Sequence, residues 1–402
     1  MSIKACLVGG IVRDMLLSRP FQDIDVVLET DAIIFCDILQ SKYFENIEIL
    51  AKNEKFKTVK LEFIFNEKTF QVDVASTRSE IYEYPSCLPI LAETVVPLKK
   101  DLMRRDFSVN ALAVSLNSMD FCRVVDETGG LNDIENSKIK ILHNDSFLDD
   151  PSRIIRGLRY RALLGFSLDE KTKLLQDNCL KNKKYIALCQ DRVKKELKKT
   201  LNIISAEIFD KFVSENIYKL IVPKISKLNL PSGNLIMQII SSNLKHINSD
   251  FLWIIILCII FNFMPCEYID ETIEKLALTR YEKQIFFDFF DLKEKLFEFE
   301  IKNTNFEIYE FLNKYSLESL VAWQCLPMNC NNNSKITKYL NELRFVKLTV
   351  SGSDIEGFGI RNGKLYGKIL KDVLRAKLDG RVEECSEKRF LELICNDYKP
   401  EK

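Results

Sequence analysis

The chain has 402 residues, 47% hydrophobic and 29% charged, which is enough to bury more than one core. Lys+Arg and Asp+Glu stand at 58 each, so no global field draws in a polyanion, and an RNA partner has to be held by local basic patches. The two histidines, His143 and His246, exclude a histidine triad or a multi-histidine metal site, and twelve cysteines without any Cys-x-x-Cys spacing read as free thiols in a reducing cytoplasm.

Ala5 to Val8 reads as a short buried strand that runs directly from the N-terminus, so no signal peptide is expected. The Gly9-Gly10 turn follows, and Arg13 to Leu17 reads as the start of a helix; such a turn lets backbone amides approach a phosphate. Asp23 and Asp25 then sit two apart on a predicted strand, pointing to one side while Ile24 points to the other. Two carboxylates on one face suit a hard divalent cation such as Mg2+, and a phosphate cradle beside them suits metal-assisted phosphoryl or nucleotidyl transfer. A strand-turn-helix with two solvated acids accounts for the same residues, and neither motif is specific alone.

Val59, Leu61, Phe63 and Phe65 alternate with Lys60, Glu62 and Ile64, and Phe70, Val72 and Val74 alternate with Gln71 and Asp73, giving two further strands. Asp73 falls on the polar face, as a third carboxylate near the pair or as a solvated strand residue. Thr77 to Pro97, with Pro85, Pro89 and Pro97 and no sustained period, is predicted to be a long loop.

Strand signals end near residue 142, and helical periodicity dominates from Asn144 onward, interrupted at Pro223, Pro231, Pro265 and Pro327. Asp150-Pro151 predicts a helix start, with an acid at the N-cap and proline at the first helical position. Lys181 to Lys199 is densely basic through Lys181, Lys183, Lys184, Arg192, Lys194, Lys195, Lys198 and Lys199, either a solvated face or an RNA contact. Phe251 to Met264 is the strongest apolar run, too short to span a bilayer and closed by Pro265; a buried helix is expected.

Four blocks occur in order: Val8-Gly9-Gly10-Ile11-Val12-Arg13-Asp14 with Asp23 and Asp25; Arg104-Arg105-Asp106-Phe107-Ser108-Val109-Asn110-Ala111; Asp126-Glu127-Thr128-Gly129-Gly130-Leu131-Asn132-Asp133; and Asp149-Asp150-Pro151-Ser152-Arg153-Ile154-Ile155-Arg156-Gly157-Leu158-Arg159-Tyr160. With these the sequence resembles the class II CCA-adding enzymes (tRNA nucleotidyltransferases) and their bacterial poly(A) polymerase relatives. The match is close over residues 5 to 166 and looser beyond, with Ser351 to Gly380 similar to a C-terminal stretch of longer members.

The resemblance implies an α+β fold: a mixed-sheet nucleotidyltransferase head over 1–142, a helical neck for base recognition over 143–200, and a helical, tRNA-binding body and tail over 201–402. It implies transfer from CTP and ATP to the tRNA 3′ end, with Mg2+ held by Asp23 and Asp25 and pyrophosphate released. Addition of A alone and poly(A) synthesis remain alternatives within the family, and the Thr77 to Pro97 segment matches a family loop associated with A addition. Gly10, Arg13, Arg105, Arg156 and Arg159 match nucleotide-binding positions. Asp150 and Arg153 match the base reader, an acceptor and a donor that satisfy the Watson–Crick edges of cytosine and adenine. Uracil and guanine present the reverse order, at a cost of roughly 1–3 kcal/mol per mismatched contact. Two departures stand out: Asp149 replaces the family's Glu behind Arg153, and Glu127-Thr128 stand where a proline is commoner. No membrane contact and no obligate protein partner are implied.

Overall fold

The computed structural model describes residues 3–21, 23–182, 185, 190–222, 228, 230–264, 268–327 and 330–398. The chain divides into two compact units, Met1–Thr200 with Glu207–Lys224, and Leu201–Ala206 with Ile225–Lys402.

The first unit is built on strands β1 (Ala5–Val8), β2 (Ile24–Leu28), β3 (Ile47–Asn53), β4 (Thr58–Phe65), β5 (Lys68–Ser76), β6 (Arg78–Ile81), β7 (Ile90–Thr94), β8 (Leu112–Ser115), β9 (Val124–Asp126), β10 (Lys138–Ile139) and β11 (Ser167–Leu168). Seven of them form one mixed sheet in the order β3-β4-β5-β2-β1-β8-β9, with β2 and β5 parallel and the other neighbours antiparallel. Its helices are α1 (Gly10–Leu16), α2 (Ala32–Lys42), α3 (Leu98–Met103), α4 (Gly130–Glu135), α5 (Ser146–Asp149), α6 (Ser152–Leu164), α7 (Glu170–Lys181), α8 (Gln190–Leu201) and α9 (Ala206–Ser214).

Of the predicted alternation, Val59, Leu61, Val72 and Val74 bury together, Phe63 packs against them partly buried, and Phe65 at the strand end is exposed. Val59, Leu61, Val72, Val74 and Leu28 pack on Ala32, Ile33 and Cys36 of α2. That helix starts at Asp31, whose carboxylate accepts from the N–H groups of Ile33 and Ile34. Ile11 and Val12 of α1 pack on Leu112 and Val114 of β8. Asp25 and Asp73 are direct partners in the parallel β2–β5 register, so both carboxylates leave the sheet on the same side.

Two segments differ from the sequence reading. Thr77 to Pro97 is not a structureless loop: β6 and β7 pair as an antiparallel hairpin, with Pro85 and Pro89 between the strands and Pro97 capping α3. Its strands face solvent on much of both sides, so no apolar alternation marks them. Past residue 142, one short strand interrupts the helices: β11 pairs in parallel with β10.

Among its described residues the second unit is entirely helical. All ten residues of the helix Leu252–Phe261 are buried. Around it, Phe261 stacks on Phe286 and Phe289 stacks on Trp323, with ring centroids 5.1 Å apart in each pair. Residues 351–380 form the helices Gly352–Gly357 and Gly363–Leu378 over a separate core of Val350, Ile355, Ile369 and Val373. Among the described residues no helix is long and apolar enough to cross a membrane. Of the four predicted breaks, Pro231 and Pro327 lie outside helices, while Pro223 and Pro265 fall outside the described residues.

Replacing Leu257 with Ala removes a fully buried side chain from the centre of this helix. The second unit should lose about 2–5 kcal/mol of stability, read as a lower urea midpoint.

Candidate active site

Gly9, at φ +81°, turns the chain between β1 and α1. A Cβ at Gly9 would stand 3.2 Å from Arg105 Nη1 and 3.4 Å from Asp25 Oδ2, so glycine leaves open a space where a guanidinium and a carboxylate converge. Burial pushes the Asp25 pKa up; Arg105 opposes the shift, and the charges of Asp73 and Asp23 add to it. Asp25 is half-buried, while Asp23 precedes the strand and is exposed. Among the described residues no three His, Cys, Asp or Glu side chains form a complete metal cage. Asp25 and Asp73 line the space and Asp23 is not on its wall; carboxylates beside an open space suit Mg2+, which completes its shell with water and substrate oxygens.

A cleft of about 1120 Å3 opens over this point. Its walls carry Gly9, Gly10, Asp25, Asp73 and Arg105 from the sheet side and Arg153, Arg156, Tyr160 and Arg192 from α6 and α8. The β6–β7 hairpin adds Arg78, Glu80, Tyr82, Leu88 and Pro89.

Arg105 is positioned by the fully buried Asp101. One oxygen of Asp101 accepts from Arg105 Nη2 at 3.0 Å, and the other accepts from Nε and Nη2 of Arg104 at 3.0 and 2.8 Å and from the Arg78 N–H at 3.2 Å. Burial alone would raise its pKa, but Arg105 and Arg104 hold it below the usual carboxylate range. Asp106, also buried, accepts from the Phe107 N–H at 2.8 Å and Asn110 Nδ2 at 3.1 Å, and lies 3.4 Å from Arg156 Nη1.

The third sequence block braces this turn. The Asp126 carboxylate accepts four backbone N–H groups, from Thr128, Gly129, Gly130 and Leu131. Gly130 lies against the backbone of Ser108, where a Cβ would come within 2.3 Å of the carbonyl oxygen. Ser108 Oγ donates to Asp133 Oδ2 at 2.6 Å. Four N–H bonds to one carboxylate fix this turn without a proline, and Glu127 only reaches Lys99 at the surface.

Helix α6 begins at Ser152, one residue later than expected, because Pro151, although in the αR region, stands at its N-cap. Asp150 still closes the helix start, its Oδ1 accepting from the Ser152 N–H at 3.1 Å. Its Oδ2 lies 3.0 Å from Arg156 Nη2 and 2.6 Å from Arg192 Nη2. Asp150 is 1% exposed and is not part of the cleft wall. Arg153 is on the wall, donating to Ser146 Oγ at 2.6 Å and to the Arg104 carbonyl at 3.1 Å. Asp149 makes no hydrogen bond to Arg153; Ser146 provides that support.

Two other predicted residues stand behind the wall. Arg13 donates to both oxygens of Asp14 at 2.9 Å and to Asn110 Oδ1 at 2.6 Å. Arg159 donates to Glu196 Oε2 at 2.7 Å and Thr200 Oγ1 at 3.2 Å. Their guanidinium carbons lie 5.3 and 5.4 Å from the Tyr160 ring centroid. In the basic run, Arg192 and Lys195 face the cleft, whereas Lys183 and Lys184 lie outside the described residues.

The sequence reading missed Tyr82, Tyr160 and the roles of Asp101 and Arg192. Tyr160, Asp101 and Arg192 each lie within or beside a block already singled out, and Tyr82 lies in the segment taken for a loop.

Asp101→Ala leaves Arg104 and Arg105 without their shared acceptor and should cost about 3–5 kcal/mol at neutral pH. The lowered pKa means the wild-type advantage over Asp101→Asn is full above the unfolded value of about 3.9 and disappears as pH falls through the lower folded value. Urea midpoints of wild type and variant across this range check both statements.

Comparison with known proteins agrees with the geometry. Residues 5–140 match the poly A polymerase head domain. The A-adding tRNA nucleotidyltransferase of Geobacter sulfurreducens is 28% identical over 394 residues, covering 94% of this chain and 44% of the relative. That of Aquifex aeolicus is 37% identical over 177 residues, covering 43% of this chain and 20% of the relative. A solved CCA-adding enzyme in an apo form superposes with a TM-score of 0.81 at 25% identity, over 98% of this chain and 92% of that one. The chain thus spans less than half the length of those two curated relatives, while covering nearly all of the solved structure. Residues 5–140 thus match a poly A polymerase head domain, and the fold of the whole chain is similar to that of a CCA-adding enzyme.

Proposed function

We propose that this protein is a template-independent nucleotidyltransferase that extends the 3′ end of tRNA with CMP and AMP from CTP and ATP, releasing pyrophosphate. The observation that carries the reading is one cleft whose wall brings carboxylates and an open glycine turn together with an arginine-rich helix start. A nucleoside triphosphate with its metal needs both sets of groups in one cleft. In this reading residues 1–142 act as the catalytic head, 143–200 as the base-reading neck and 201–402 as the tRNA-binding body and tail.

Asp23 and Asp25 would hold the divalent cation, with Mg2+ as the expected ion. When bound, it supplies charge stabilisation at the α-phosphate and a lower pKa for the attacking hydroxyl. The space at Gly9 and Gly10 admits phosphate oxygens against backbone, and Arg105, held by Asp101, presents a fixed positive charge beside it. Arg13 and Arg159 act from behind, through Asn110 and Tyr160. Arg153 presents donors to the base. Asp150 serves as the matching acceptor once the base's amino group displaces an arginine from Oδ2.

Addition of A alone is the second reading, favoured by the A-adding relatives from Geobacter sulfurreducens and Aquifex aeolicus. The deciding experiment offers tRNAs ending before the first C, after the first and after the second, each with single nucleotides, and reads product lengths. C addition to the shortest acceptor supports the full reaction; extension only of the CC-ended acceptor with ATP establishes the A-only enzyme.

Two sets of variants test the roles. Asp23→Asn and Asp25→Asn should each bring incorporation below detection in Mg2+ without lowering the melting temperature, and near-normal activity in either would refute the metal role. Arg153→Ala should lower kcat/KM for CTP and ATP together by about 10- to 100-fold and relax the rejection of UTP. Unchanged preferences among the four nucleotides would place base selection elsewhere.

A further inference from the structure

Four adjacent strands of the sheet meet the cleft, in the order β4-β5-β2-β1. Thr58 comes from β4, Asp73 from β5, Asp25 from β2 and Gly9 from the end of β1, and all four line the space. The carboxylates of Asp25 and Asp73 therefore lie between the glycine turn on one side and the start of β4 on the other. Asp73 pairs with Lys60 in the β4–β5 register, which makes Thr58 its diagonal neighbour, on the same face of the sheet and about 7–8 Å away. Just before Thr58, the turn from β3 to β4 brings Lys55 and Phe56 to the same cleft.

Phe56 takes no part in the core that packs β4 and β5 on α2. It is half-buried, its N–H donates to Asn53 Oδ1 at 3.1 Å, and its ring centroid lies 5.5 Å from both the Arg78 guanidinium carbon and Lys55 Nζ. Glu80 accepts from Arg78 Nε at 3.0 Å, and the Arg78 Nη groups make no hydrogen bond among the described residues. Lys55 is exposed and makes no ion pair among them, so a ligand can displace it from the ring. An aromatic ring beside two cations with spare donors is suited to stack a nucleobase and hold its phosphate. The geometry of transfer decides which base. The attacking and leaving oxygens stand roughly in line on opposite sides of the phosphorus. With the triphosphate at Gly9 and Arg105, pyrophosphate leaves on the β1 side, and the acceptor's 3′-hydroxyl arrives from the β5–β4 side. We propose that Phe56 stacks on the base of the acceptor RNA's 3′-terminal nucleotide, with Lys55 and Arg78 taking its phosphate. This rests on the nucleotidyl-transfer reading above.

Phe56→Leu keeps the apolar bulk and removes the ring face. The acceptors to compare are a CC-ended tRNA and the same RNA with an abasic last nucleotide, each extended with ATP. In the wild type, loss of the base should lower kcat/KM for the acceptor by about 10- to 100-fold. Phe56→Leu should lower it by a similar factor on the intact acceptor, show little further loss on the abasic one, and leave the KM for ATP unchanged. Phe56→Trp, which restores a ring, should recover the preference for the intact acceptor. A Phe56→Leu enzyme that keeps the wild-type ratio between the two acceptors, or whose loss lies in the KM for ATP, overturns the proposal. Failure of the transfer reading looks different: the wild type extends no acceptor at all. In that case fluorescence anisotropy with the two RNAs decides, and an equal affinity ratio in wild type and Phe56→Leu overturns the stacking contact.

Discussion

An arginine-lined cleft can exist in a folded chain only if guanidinium charge is answered from within the protein. Buried carboxylates do so here. Asp101 ties down Arg104 and Arg105, Asp106 faces Arg156, and Asp150 lies between Arg156 and Arg192. Each carboxylate would be costly to bury alone, and each cation would repel its neighbours. Together they form a lattice that holds the arginines in place while leaving a net positive wall for phosphates. Asp106 carries this lattice onward through Asn110 to Arg13, and so to Tyr160. Asp106 thereby joins Arg156 and Asp150 on one side to Asn110 and Arg13 on the other.

This arrangement also reconciles an uncharged chain with an anionic ligand. The equal totals of acidic and basic residues argue against any long-range field, and the structure places the relevant charge locally. Arg192 and Lys195 of α8 join the cleft, while Glu196 on the same helix turns inward to receive Arg159. A basic helix that reads as a solvated stripe thus divides its charges between cleft and interior.

Much of the fold was legible because burial leaves a period in the sequence. β4 and β5 showed themselves by alternation, since Val59, Leu61, Val72 and Val74 all face one helix. The β6–β7 hairpin left no such trace, because it has little apolar face to encode. The chemistry-bearing blocks were visible as strings of residue types, but strings do not say which side a side chain takes. Arg13 and Arg159 read like Arg105 and Arg153 in one dimension, and only packing separates those behind the wall from those on it. Asp101 was hidden for a related reason: a single acid before Arg104 has no signature until the fold buries it between two arginines.

The small pairing of β10 with β11 has a mechanical consequence. It fastens the chain just beyond the C-terminal end of α6 to the end of the head, while the Arg153 contact to the Arg104 carbonyl fastens the other end. A helix anchored at both ends cannot pivot about either one. On that fixed floor the long side chains are the parts left free to move, and the Arg192 contact to Asp150 Oδ2 is a bond that such a rotation would break.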